Sequence, residues 1–307
     1  MRIAVVGAGA MGSIFGARLA QGGHETVLVD VAVPLVERIN EAGVTVVRGE
    51  EETVTRVAAT ADPASVGVVD AVVFFVKCYH TQSAAELARP LVGAGTVVAS
   101  LQNGWGNGDV LAGVYPPEQV VVGVTYNSGT VLGLGRVAHP GVGPTTMGPF
   151  AGDSTAGAER LAAAIGDGGL EAVVVDPVRP EIWKKLILNA ATLPTAALTG
   201  MHAGALTAHA EMHELVSDTA REAVAVACAL GFEIDAQERV DAIHGLLERA
   251  GSARASMLQD FEAGRRTEID VINGAVVRAG DEQGVPVPLN RAFVRLVKGW
   301  ESVRGLT

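Results

Sequence analysis

An α/β domain built on a mostly parallel sheet, followed by an all-helical domain, is the fold class this sequence predicts. Three observations carry it. The chain opens on an apolar strand, residues 2–6, that runs directly into Gly7-Ala8-Gly9-Ala10-Met11-Gly12. Apolar, β-branched runs then alternate with helical segments as far as Val175. Beyond Asp176-Pro177-Val178-Arg179-Pro180 those runs vanish, and Ala-, Leu- and Glu-rich helical periodicity takes over. Two prolines so close together make a stiff boundary, so the domains are drawn as 1–178 and 179–307.

The opening stretch has the form strand, G-x-G-x-x-G, helix. Gly7 can turn tightly off the strand. Gly9 has no Cβ to hold a pyrophosphate away from the backbone, and Gly12 lets the following helix, predicted over Ser13–Gln21, pack close to the sheet. Ala10 and Met11 lie within the same loop. A second strand, Thr26–Val29, ends at Asp30, where an acidic side chain accepts hydrogen bonds from the adenosine ribose hydroxyls. These features predict a Rossmann-type dinucleotide-binding domain. A carboxylate at Asp30 attracts a 2′-hydroxyl and repels a 2′-phosphate. The nearest downstream base is Arg38, inside the next helix, so NAD(H) is expected over NADP(H).

The remaining elements follow in order. Pro34–Ala42 reads as a helix. Val44–Val47 and Thr53–Ala58 flank a charged turn, as in a hairpin. Ala71–Val76 is wholly apolar, as a central parallel strand should be, and Lys77 closes it. A helix over Thr81–Arg89 and a strand over Thr96–Ser100 lead to Gln102-Asn103-Gly104. Val120–Thr125, Arg136–His139 and Thr145–Gly148 are short strands, Ser154–Ile165 a helix and Ala172–Val175 a last strand. In the second half the periodicity predicts helices over 181–198, 205–230, 236–249, 256–263, 268–283 and 289–301. The active cleft of such a chain is expected between the domains, at the carboxyl ends of the parallel strands.

Composition excludes several functions. The net charge of −11 argues against nucleic acid and anionic membranes as partners. No apolar run is long enough to span a bilayer, and no signal peptide precedes the first strand. The two cysteines, Cys78 and Cys228, lie far apart without metal spacing, which fits a reduced, cytoplasmic setting. His209 and His213 stand one helical turn apart with no supporting carboxylate pattern, so no metal site is expected.

Candidate chemistry concentrates at a few positions. Lys77 and Asn103 sit at the carboxyl ends of neighbouring strands, where ligands collect. In Trp183-Lys184-Lys185-Leu186-Ile187-Leu188-Asn189, Lys185 and Asn189 share one helix face, while Lys184 is turned away by about 100°. The apolar neighbours predict that Lys185 is partly buried, with a lowered pKa suited to proton transfer. Thr267 and Asp270 read as a capping box. That leaves Glu268 open as a dipole partner or a catalytic carboxylate.

Taken together, these motifs resemble the ketopantoate reductase (2-dehydropantoate 2-reductase) family nearly end to end. The likeness runs through the glycine motif, Val76-Lys77 with Thr81 and Gln82, Gln102-Asn103-Gly104, Gly123-Val124-Thr125 and Gly135-Arg136-Val137-Ala138-His139-Pro140-Gly141. It continues through Trp183–Asn189 and Ser256-Met257-Leu258-Gln259-Asp260 to Arg266-Thr267-Glu268-Ile269-Asp270 and Asn273-Gly274. The resemblance implies reduction of a 2-keto acid, with 2-dehydropantoate going to pantoate. Lys185 would be the general acid and Glu268 the acid that orients it. Ser256 would contact the substrate carboxylate. Asn189 and Asn103 would lie around substrate and nicotinamide, and Lys77 on the cofactor side. The expected partners are a small 2-keto acid and a second copy of the chain, as a homodimer formed through the helical domain.

The chain departs from the family at Leu193, Ala203 and Ala253, where amides would hold the substrate hydroxyl, and at Asp30-Val31, where most members place a base. A second enzyme reading follows: an NAD-dependent D-2-hydroxyacid dehydrogenase for branched or aromatic 2-keto acids. A non-catalytic dinucleotide sensor is the third, and it has no need of Lys185 and Glu268.

Overall fold

The computed structural model describes residues 1–306. Strand β1 (Arg2–Val6), helix α1 (Ala10–Gln21) and strand β2 (Glu25–Val29) form the first βαβ unit. Ile3 to Val6 are buried on both faces of β1, which is why the strand reads as an unbroken apolar run. There follow α2 (Val33–Ala42), β3 (Val44–Arg48), β4 (Glu51–Thr55), β5 (Ala58–Thr60), β6 (Ala71–Phe74), α3 (Thr81–Leu87), β7 (Val97–Ser100) and α4 (Asn107–Ala112). The α/β part closes with β8 (Val120–Thr125), β9 (Ser128–Gly133), β10 (Arg136–Gly141), β11 (Thr145–Pro149), α5 (Ala156–Asp167) and β12 (Ala172–Val174).

An eight-stranded sheet has the order β12-β11-β8-β7-β6-β1-β2-β5. The run from β5 to β8 is parallel, and β11 pairs antiparallel with β8. Strand order reverses between β1 and β6, and ligands of open α/β sheets bind outside the carboxyl ends of strands at such a point. The glycine loop follows β1 and Lys77 follows β6, so both stand at this reversal. The core beneath is apolar, with Ile3, Val5, Phe15, Leu28, Val73 and Met147 in one cluster.

Three expectations change here. The run 53–58 is not one strand. Glu51–Thr55 pairs antiparallel with β3 in a small sheet of order β4-β3-β10-β9, whereas Ala58–Thr60 pairs with β2 in the large one. Strand β9 carries no strand signal in the sequence, because it is glycine-containing and largely exposed. The apolar run 71–76 leaves the sheet at Phe74, so Lys77 caps a 3-10 turn, Cys78–His80, rather than closing a strand.

The second unit is helical: α6 (Arg179–Thr199), α7 (Ala203–Ala208), α8 (Ala210–Ala229), α9 (Ala236–Ala250), α10 (Ser256–Glu262), α11 (Asn273–Gln283) and α12 (Pro288–Val303). The single helix expected over 205–230 is broken at His209, whose extended backbone separates α7 from α8. By contact the chain divides into Met1–Gln102 with Asn107–Val178, and Asn103–Gly106 with Arg179 onward. The loop 103–106 thus belongs with the helices. Trp105 N–H donates to Val271 O at 2.9 Å, and its ring meets Trp183 at 5.6 Å.

Helix α6 runs through Pro194 without ending. Proline has no N–H, so the carbonyl of Ala190 lacks its helical donor. The buried Asn273 supplies one: its Nδ2 donates to Ala190 O at 2.9 Å and to Asn290 Oδ1 at 3.0 Å. Asn290 in turn is held by Glu222, which also accepts from the first N–H groups of α12. Asn273→Leu therefore strands two buried acceptors, each worth about 1–3 kcal/mol. The expected result is a loss of roughly 2–6 kcal/mol, read from the denaturant midpoint at unchanged slope.

Candidate active site

In the first unit, Gly7 has φ +96°, and a Cβ there would stand 2.8 Å from Val76 N. A Cβ on Gly12 would lie 1.8 Å from Gly7 O, so only glycine lets α1 start against the loop. Gly9 meets nothing within 4 Å of an added Cβ, and no side chain caps α1. The open space and uncapped N–H groups suit a diphosphate. Ala10 and Met11 form the first turn of α1. Helix α1 begins earlier than Ser13, which instead donates its hydroxyl to Ala8 O at 2.9 Å.

Asp30 follows β2 as expected, with an additional function in the loop. Its Oδ2 accepts from Ala8 N–H at 2.7 Å and its Oδ1 from Ala32 N–H at 2.9 Å. The carboxylate thereby ties the glycine loop to the end of β2 and keeps lone pairs for further donors. Val31 beside it is 75% exposed, and Arg38 is paired with Glu41. No base stands next to the carboxylate in sequence.

A buried polar network joins the ends of β6 and β7. Gln102 Nε2 donates to Val76 O and to Thr81 Oγ1, both at 2.8 Å, and its Oε1 accepts from Ser100 at 2.9 Å. The Thr81 hydroxyl donates to Asn107 Oδ1 at 3.2 Å. This fixes the chain immediately before Lys77 and before Asn103. Spacing alone gave these side chains no role, because their partners are distant in sequence.

In the second unit, Lys185 and Asn189 lie one turn apart on α6. Lys184 turns outward to Glu181 at 2.7 Å. The Lys185 side chain is only partly accessible. Loss of hydrating water pulls its pKa down to about 8, and the Glu268 carboxylate opposes that by pulling it up. Glu268 is buried in the bend before the 3-10 turn Ile269–Val271. Since Trp105 binds Val271 O, the loop carrying Asn103 rests on that same turn. Asn189 is buried, while Ser256 is exposed at the first position of α10, which packs along α6.

The capping box does not form. Thr267 N–H and hydroxyl both donate to Glu301 Oε1, at 2.8 and 2.7 Å, and α11 starts only at Asn273. The role of Glu301 was missed, although its position continues the buried stripe Asn290, Phe293, Val297 on α12. Leu193 is buried on α6, and Ala203 N–H donates to Ala253 O at 3.0 Å, so two of the three apolar departures are adjacent. His213 stacks on His244 at 3.7 Å. Among the described residues no cluster of three or more His, Cys, Asp or Glu could hold a metal, and no helix is long and apolar enough to cross a membrane.

Known proteins share both the motifs and the architecture. The profile described as ketopantoate reductase PanE/ApbA matches residues 3–152, and that described as ketopantoate reductase PanE/ApbA C terminal matches 177–301. The chain belongs to the ketopantoate reductase family. Among the family's curated members, the 2-dehydropantoate 2-reductase of Halobacterium salinarum is 35% identical, covering 97% of this chain and 98% of that one. That of Archaeoglobus fulgidus is 34% identical, covering 98% of each. Among solved structures, a PanE/ApbA family ketopantoate reductase from Ralstonia eutropha has a TM-score of 0.89 at 35% identity, over 99% of this chain and all of that one. A D-mandelate dehydrogenase in ternary complex with NADH and anilino(oxo)acetate has a TM-score of 0.95 at 27% identity, over the whole of both chains.

Proposed function

We propose that this protein reduces 2-dehydropantoate to pantoate, using NADH as the hydride source and Lys185 as the proton donor. The observation that carries the reading is a lysine whose pKa burial has lowered toward neutrality and whose charge is supported by one buried acid, Glu268. Such a group stays cationic enough to stabilise an alkoxide and gives up its proton readily. The glycine loop, with open space at Gly9 and an uncapped helix start, fits the diphosphate of the cofactor. When bound, the reduced nicotinamide supplies the hydride.

The chain's own groups then have distinct tasks. The Lys185 ammonium polarises the keto oxygen and transfers its proton to it. Glu268 orients that ammonium and keeps it charged. Ser256 and Lys77 hold the substrate carboxylate and the cofactor side, and Asn103 and Asn189 orient the substrate through their amides. Residues 1–178 serve as the dinucleotide-binding domain and the rest as the substrate and dimerisation domain. The active form in this reading is a cytoplasmic homodimer. The acid–base pair also weighs against a non-catalytic sensor.

Asp30 supports NADH over NADPH, as do the neighbours solved with NADH. Asp30→Ala is expected to weaken both cofactors, because the staple to Ala8 is lost. NADH should suffer more, since its ribose contacts vanish while a repulsion of the 2′-phosphate is relieved. The check is KM for each cofactor; a wild-type enzyme faster with NADPH contradicts this assignment.

A second reading is favoured by Leu193, Ala203 and Ala253, and by the likeness to a D-mandelate dehydrogenase. In it these side chains surround a branched or aromatic substrate group. An additional buried methylene contributes about 1–3 kcal/mol, and a hydroxyl left without a partner costs about 1–3 kcal/mol. The experiment that separates the readings compares kcat/KM for ketopantoate and 2-ketoisovalerate, with NADH and with NADPH. A large preference for ketopantoate supports the first reading. Parity or preference for 2-ketoisovalerate, reversed by Leu193→Asn, supports the second.

A further inference from the structure

Glu301 is a carboxylate with no exposed surface, near the carboxyl end of α12 and remote in sequence from every residue assigned a role above. A charge is costly to bury unless its partners are well placed. Its Oε1 accepts from both the backbone N–H and the hydroxyl of Thr267. The Thr267 oxygen accepts in turn from Ile269 N–H at 3.2 Å. Glu268 is therefore bracketed: the residue before it and the N–H after it are tied, directly or through one hydroxyl, to a single oxygen of α12. The segment has little regular structure of its own. It lies between Gly264, at φ +60°, and α11, and contains only a three-residue 3-10 turn.

The other Glu301 oxygen lies 3.3 Å from Lys298 Nζ, which also reaches Asp270 Oδ2 at 2.6 Å; Arg266 stands 3.4 Å from that same oxygen. These charges bind the far side of the turn to α12. On the helices packed against α12, Glu222 of α8 caps its start, Asp281 of α11 pairs with Arg291, Arg278 of α11 donates to Asp270 O, and on α6 Lys184 pairs with Glu181 while Lys185 interacts with Glu268. Glu301 grips the Glu268 side of the turn through Thr267.

We infer that Glu301 is a positioning residue for the reaction, holding Glu268, through Thr267, where its charge reaches Lys185. The inference rests on the reading of Lys185 and Glu268 as proton donor and partner. It differs from a purely structural role in what it moves. If Glu268 drifts, Lys185 loses the charge that keeps it protonated, so reduction should fail at lower pH than in the wild type.

The test uses Glu301→Ala, Glu301→Gln and Thr267→Val, with Glu268→Gln as reference, in the full-length enzyme. Steady-state reduction of the best 2-keto acid is followed against pH. Glu301→Ala and Thr267→Val should lower kcat by about 10- to 100-fold and move the alkaline limb to lower pH, with KM for NADH unchanged. Glu301→Gln keeps an acceptor for Thr267 and should restore most of the turnover. Adding Glu301→Ala to Glu268→Gln should cost nothing more in kcat. Should Glu301→Ala fail to fold, Thr267→Val carries the same prediction without removing a buried charge. Wild-type kcat and pH profile in Thr267→Val and Glu301→Ala, beside an impaired Glu268→Gln, overturn the positioning role alone. So do losses that multiply in the double variant. An unimpaired Glu268→Gln overturns the acid–base reading and the positioning role with it.

Discussion

Lys185→Ala is expected to lower kcat for keto-acid reduction by roughly 10²–10⁴-fold, the usual contribution of a positioned proton donor. NADH affinity should stay within about twofold of wild type, because the groups assigned to the diphosphate and ribose, the glycine loop and Asp30, belong to the first unit and Lys185 to the second. The pH dependence sharpens the expectation. Reduction needs the ammonium form of Lys185, so the wild-type rate should be sustained below pH 8 and fall as pH rises through about 8. Oxidation of the hydroxy acid needs the neutral amine and should rise across the same interval. Both limbs should be lost in the alanine variant, since alanine can neither give nor accept a proton. Stopped-flow and steady-state rates across pH check this. Near-wild-type turnover would move the proton-donor role elsewhere, with Lys77 the next candidate.

The second large effect comes from two glycines three residues apart that ought to respond differently. Gly12→Ala places a Cβ 1.8 Å from Gly7 O, a backbone atom that cannot turn aside. Helix α1 must shift off the sheet or the loop must open. Overpacking of this kind costs about 1–3 kcal/mol or more. Both the melting temperature and NADH affinity should fall, the latter by at least about tenfold, equivalent to 1.4 kcal/mol. Gly9→Ala meets nothing within 4 Å. It should leave stability unchanged and still weaken NADH, because the new methyl occupies space meant for the diphosphate. Thermal unfolding paired with NADH titration distinguishes the two. Equal NADH affinity in wild type and Gly9→Ala would place the diphosphate elsewhere.

These glycines also show why the cofactor half was legible in the sequence. Gly7 is demanded by a positive φ and Gly12 by a close backbone approach, and both requirements are local. The buried strands were equally plain, since β1, β6 and β7 are apolar on both faces. What escaped was set by partners far along the chain. Nothing in Thr53–Ala58 indicates that its two ends pair in different sheets, because Arg56 and Val57 carry no turn signal. His209 separates two helices without a glycine or proline. Thr267 looked like a local cap because Asp270 stands in register, yet its partner is 34 residues away. Asn273 matched the family motif, but its task depends on the carbonyl that Pro194 leaves free, 83 residues upstream of it at Ala190. For the acid–base pair, apolar neighbours on α6 foretold a perturbed lysine, while only the fold brings Glu268 to it.

The central claim is that this chain transfers a hydride to the carbonyl carbon of a 2-keto acid. The most direct measurement incubates the enzyme with ketopantoate or 2-ketoisovalerate and NADH deuterated at the reactive nicotinamide carbon, and analyses the product by mass spectrometry. The account predicts a 2-hydroxy acid of one enantiomer carrying one deuterium at C2, formed by wild type and nearly abolished in Lys185→Ala. NADH binding without any labelled hydroxy acid from either substrate would contradict it.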